Sequence, residues 1–144
     1  MEQHAANACG TVAMLHSIVN MAKSEPDLVA KDSFIQKFID ETKDLNAHDR
    51  GKYLKGNKTL ESAHKDAVEK GETQAEEEVM THFVAFVEVD GHLYELDGRK
   101  DFPINHGECK AEELLPKSCE AIKTFMSRDP DEIKFTIMAL AAPP

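Results

Sequence analysis

Residues 81–100 read THFVAFVEVDGHLYELDGRK, and the alternation within them decides the architecture. The first half is rich in β-branched and aromatic residues, Asp90-Gly91 interrupts it, and HLYELDG returns, which predicts an antiparallel hairpin. With Asp90 and Gly91 as the loop, Val89 faces His92, Val84 faces Asp97 and His82 faces Arg99. Side chains alternate between the faces of a strand, so His82 and Asp97 project from the same face. As diagonal neighbours about 7–8 Å apart between backbones, an imidazole and a carboxylate there can lean together. A four-residue loop keeps this register, whereas a three-residue loop breaks it.

Upstream, the pattern changes to helical spacing. Val12, Leu15, Ile18, Val19 and Ala22 recur every three or four residues, with Asn7 as the expected N-cap and Cys9 in the first turn. Ser24-Glu25-Pro26 interrupts; Ser33 and Gln36 then suggest a capping box for a helix with Phe34, Ile35, Phe38 and Ile39 on its apolar face. Asn46 to Asp49 caps a short polar helix ending near Gly51 or Gly56, and Leu60 to Val68 is weakly helical. EKGETQAEEEVM (69–80) is acidic and aperiodic, the signature of an exposed loop.

Downstream, FPINHG (102–107) predicts a short strand and Leu114 to Met126 a helix with Leu115, Cys119, Ile122 and Met126 on its buried side. KFTIMALAA (134–142) reads as a strand buried on both faces. Helices first, a hairpin later and a last strand imply a single α+β domain over 1–144 with a largely antiparallel sheet.

Bulk properties narrow the function. A net charge of -10 over 144 residues lacks the basic face that nucleic acid or an anionic membrane requires. The uncharged run from Gln3 to Ala22 holds His4, Asn7, His16, Ser17 and Asn20, and Glu2 stands where a signal peptide carries Lys or Arg, so a soluble chain is expected. Three cysteines without CxxC spacing imply neither a disulfide framework nor a zinc ribbon, and fit a reducing, cytoplasmic setting. Cys109 is expected at the surface and Cys119 in the core. His92 falls at the opposite end of the hairpin from His82, so His82, His92 and His106 do not predict a metal site; no metal or cofactor is expected.

The His82–Asp97 pair needs a nucleophile to be catalytic. A carboxylate on one ring nitrogen fixes the tautomer and leaves the other nitrogen to take a thiol proton. Cys9 supplies the thiol, at a helix N-terminus whose dipole favours the thiolate. Gln3 carries an amide that could join the Cys9 backbone N–H in an oxyanion hole. Each residue has a plainer reading on its own: Cys9 a packed small residue, His82 a strand cap, Asp97 a turn residue, Gln3 exposed surface. Arg99 is expected to pack or pair with an acid. Only the joint order of the four points to chemistry.

QHAANACGT, THFVAFVEVDGHLYELDGRK, FPINHG and FMSRDPDEIKFTIMAL together closely resemble the ubiquitin C-terminal hydrolases, cysteine peptidases of papain-like architecture, across essentially the whole chain. The resemblance implies Cys9 as nucleophile, His82 as general base, Asp97 as orienting acid and Gln3 as oxyanion-stabilising amide. It implies a crossover loop over about 60–80, and ubiquitin, carrying a small adduct or short extension at its C-terminal glycine, as substrate. Members of that family carry a segment upstream of the glutamine, whereas Met1 stands two residues before Gln3. On that footing FTIMAL is the stretch expected to lose its strand neighbours. Two further readings stay open: a catalytically impaired form that binds ubiquitin, and a thiol hydrolase of the same architecture acting on another small acyl group.

Overall fold

Asp90 (φ 51°) and Gly91 (φ 78°) both adopt the left-handed conformation, which is what a type I′ hairpin turn demands. In the computed structural model, which describes residues 1–5, 7–59, 62 and 81–141, this turn joins β1 (Ala85–Val89) to β2 (His92–Leu96). The pairing runs from Val89 opposite His92 to Ala85 opposite Leu96, the register expected from the sequence. A third strand, β3 (Ile104–Glu108), lies antiparallel against β2, giving the order β1-β2-β3.

Helices cover both faces of this sheet. On one side lies α1 (Cys9–Ser24), with Leu15, His16 and Val19 lining a cavity of about 280 Å³ shared with Val89, Tyr94 and Leu96. Behind it, α2 (Phe34–Thr42) and α3 (Ala47–Lys55) complete a core around Val12, Leu15, Phe38 and Leu54. On the other side, α4 (Leu114–Met126) closes a second core of Leu93, Cys109 and Ala121. The result is an α+β fold with an antiparallel sheet.

Capping explains two of the helix starts. The Ser33 hydroxyl accepts from the Gln36 N–H at 3.2 Å, and the Asn46 side chain accepts from the Asp49 N–H at 2.8 Å. The expected capping box is half made, because the Gln36 amide turns away to donate to Asp40 at 3.1 Å. At α1 the cap is Ala8, not Asn7. Asn7 takes a left-handed φ of 54°, which asparagine tolerates but which removes it from the extended geometry a capping side chain needs. The Ala8 side chain makes no capping hydrogen bond to the helix that begins at Cys9.

Other expectations fail for packing reasons. The helix over 114–126 forms, but it buries Ser118 and Ala121, while Leu115 stays 58 % exposed and Met126 also reaches solvent. Small residues let α4 approach Leu93 closely, so the next stripe around the helix becomes the inner one. The cysteines invert as well: Cys109 is fully buried and Cys119 only half-buried. The strand expected at 82–89 begins its ladder only at Ala85. Of the strand expected at 134–142, residues 134–141 are neither helix nor strand, and Ile137, Met138 and Leu140 are exposed. The weak helix at 60–68, the acidic loop at 69–80 and the crossover loop at 60–80 lie, apart from Ser62, outside the described residues.

Candidate active site

His82 and Asp97 flank the paired part of the hairpin, one just before β1 and one just after β2. Their side chains meet as the register requires, with His82 Nε2 and Asp97 Oδ1 2.7 Å apart. The Arg99 backbone N–H donates to the same oxygen at 2.9 Å. Burial alone would raise the Asp97 pKa; the Arg99 N–H and the His82 ring outweigh it and hold the carboxyl below its ordinary value. Asp97 is therefore an anion near neutrality. A carboxylate accepting from Nε2–H leaves Nδ1 as the basic nitrogen of a neutral ring.

His82 Nδ1 is buried and has no hydrogen-bond partner among the described residues. A buried, unpaired imidazole nitrogen is costly unless something visits it. The start of α1 is its neighbour: Phe83, the next residue, reaches over Gly10, where a Cβ would lie 3.6 Å from the Phe83 ring. Cys9, beside Gly10, is the first residue of α1 and is buried. Sulfur and imidazole thus belong to adjacent segments, without a hydrogen bond between them.

Gln3 reaches the same region through its backbone. Its N–H donates to the Gly98 carbonyl at 2.8 Å, tying it to the residue after Asp97. Gly98 was not singled out in the sequence, yet the approach depends on it. A Cβ there would sit 2.9 Å from both Gln3 Cβ and Val12 Cγ1. The Gln3 amide nitrogen donates to Ala5 O at 3.0 Å, and its oxygen is buried without a partner among the described residues. Arg99, expected to pack or pair through its side chain, is exposed and contributes its backbone N–H instead.

Two neighbours escaped sequence reading. His16 on α1 is only 7 % exposed, and burial lowers its pKa to about 4 against the weaker pull of the Met1 and Leu96 backbone carbonyls. Glu95 is a buried carboxylate on β2, held by Lys100 and by His106 Nε2 at 3.0 Å. Neither carries a local motif, since each gains its environment from a distant element.

Comparison with known proteins shows the family and the fold. The family described as "Ubiquitin carboxyl-terminal hydrolase, family 1" matches residues 1–127. A probable ubiquitin carboxyl-terminal hydrolase of Dictyostelium discoideum is 41 % identical over 147 residues, covering 100 % of this chain and 57 % of that protein. A ubiquitin carboxyl-terminal hydrolase of Drosophila melanogaster is 41 % identical over 145 residues, covering 99 % of this chain and 62 % of its own length. The chain therefore spans about three fifths of these relatives. Among solved structures, the Trichinella spiralis UCH37 catalytic domain bound to ubiquitin vinyl methyl ester superposes with a TM-score of 0.73 at 24 % identity, over 92 % of this chain and 58 % of that one. The fold is accordingly the papain-like one of that catalytic domain.

Proposed function

The chain belongs to the ubiquitin carboxyl-terminal hydrolase family, and from that premise we propose that it is a thiol hydrolase releasing small adducts or short extensions from the C-terminal glycine of ubiquitin. The observation that carries this reading is the 2.7 Å His82–Asp97 contact, which leaves a buried, unpartnered Nδ1 in the segment packed against the start of α1. His82 Nδ1 takes the Cys9 proton and the thiolate attacks the glycine carbonyl. The Cys9 N–H and the Gln3 amide donate to the oxyanion, Gln3 turning from Ala5 to do so. His82 returns the proton to the leaving amine, and a thioester to Cys9 remains. Water, deprotonated by the same nitrogen, then breaks the thioester, freeing the ubiquitin carboxylate and the thiol.

A net charge of -10 suits a basic substrate tail and disfavours nucleic acid or an anionic membrane as partner. No helix among the described residues is long and apolar enough to cross a membrane. The described cysteines are free thiols, which supports a reducing, cytoplasmic location; the proposed catalytic unit is the single domain over 1–144. The test is labelling by a ubiquitin carrying a C-terminal vinyl methyl ester. Covalent capture at Cys9 is expected, with capture and turnover both lost in Cys9→Ala. A second reading, ubiquitin binding without hydrolysis, is favoured only by the missing Cys9–His82 hydrogen bond; turnover that depends on Cys9 excludes it.

A further inference from the structure

The segment that delivers Gln3 carries two ligand-type side chains on either side of it, Glu2 and His4, and both converge on a third from α3, His48. Glu2 Oε2 lies 2.7 Å from His48 Nδ1 and 3.6 Å from His4 Nε2. The three donor atoms all lie within 4.8 Å of one another. The two imidazoles stand edge to face, with ring centroids 4.7 Å apart.

The cluster is positioned by backbone, not by chance encounter of surface side chains. The Glu2 N–H donates to Ala47 O at 3.0 Å, which fixes the segment at the first turn of α3. Gly51, one turn further along, makes room for it: a Cβ there would fall 2.2 Å from Glu2 O and 2.6 Å from the His4 ring. Among the described residues this is where histidine and carboxylate donors gather, away from the His82, His92 and His106 set weighed from the sequence.

We propose that Glu2, His4 and His48 form a binding site for a borderline divalent cation of the zinc class, placed so that occupancy clamps both neighbours of Gln3 to α3. Two imidazoles and one carboxylate are a donor set that suits zinc, with a fourth position left for water. Zinc holds such donors at about 2.0–2.2 Å, which sets them about 3.3–3.5 Å apart in a tetrahedron. The Glu2–His48 contact must open by about 0.7 Å, and the His4–His48 separation, within 4.8 Å, must settle into the same range. His4 gives up its 3.2 Å contact to the His48 carbonyl in doing so. Both rings bind in their neutral form by moving the remaining proton to the other nitrogen. The half-exposed His48, at 48 % side-chain exposure, leaves the site open to exchange.

Metal binding at Glu2, His4 and His48 is independent of whether the chain hydrolyses ubiquitin. Titration of the full chain with Zn²⁺ by calorimetry, and with Co²⁺ followed by visible d–d absorption, is expected to give one equivalent bound. His48→Ala and Glu2→Gln are each expected to weaken it by at least about tenfold, and Cys9→Ala to leave it unchanged, with folding of each variant checked by circular dichroism. Both His48 and Glu2 are solvent-accessible, so neither change removes core packing. Three results overturn the site: no stoichiometric binding, full affinity in His48→Ala, or loss in Cys9→Ala with a sulfur-to-cobalt charge-transfer band.

Discussion

At residue scale the proposed chemistry turns on the His82–Asp97 hydrogen bond. Asp97 both orients His82 and gathers the Arg99 N–H, so Asp97→Asn is expected to keep the fold and lower turnover by about 10²–10⁴. The same substitution has a signed stability signature. The carboxyl titrates lower folded than unfolded, so its contribution is present above about pH 4 and is lost as pH falls further. The stability gap between wild type and Asp97→Asn should therefore narrow from pH 5 to pH 3, as urea midpoints would record. Gly98 offers a steric counterpart. In Gly98→Ala the new methyl meets Gln3 and Val12 at 2.9 Å, and a loss of about 1–3 kcal/mol is expected. Because the strain falls on the Gln3 segment, turnover should drop with it; unchanged stability and turnover would show that the segment yields freely. Cys9, His82, Asp97 and Gln3 were all singled out from residue chemistry and spacing. Gly98 was not, because a glycine after an acid looks like any turn until the partner across it is known.

Elements divide according to how local their causes are. The hairpin was legible down to its register, since alternation and an Asp-Gly loop fix it without help from the rest of the chain. Gly91 (φ 78°) has nothing near the position of a Cβ, so Gly91→Ala should cost about 1 kcal/mol from backbone strain alone. A thermal midpoint identical to wild type would contradict the type I′ assignment. Helix α4 shows the opposite case. Its ends follow from sequence, but its buried face sits about 100° from the apolar stripe. Which stripe turns inward is set by how closely Ser118 and Ala121 let the helix approach the sheet, and periodicity does not encode that distance. Asn7 fails as a cap for a similar reason, its backbone being committed to a left-handed turn.

Across the whole molecule, the sheet carries α1 on one face and α4 on the other, and the buried His16 ring lies in the first of these layers. Burial lowers its pKa to about 4, against an ordinary value of about 6.5. Unfolded chains take up a proton as pH falls through 6.5, whereas the folded one resists until about 4. Stability is thus full above that upper value and declines between the two, by roughly 3 kcal/mol at most. Urea midpoints should fall from pH 7 to pH 5 in the wild type, and fall less in His16→Leu. The stretch at 134–141 was the least legible part, because a strand exists only through a neighbour, and its residues name no neighbour. Side chains suited to a dry interior stand in water there, Met138 at 78 % exposed, as does Ile133 just before it at 87 %. Such a flank is adhesive: crowded samples will self-associate through it, so specific activity should be measured over serial dilutions, with light scattering alongside to separate a sluggish enzyme from a clumped one.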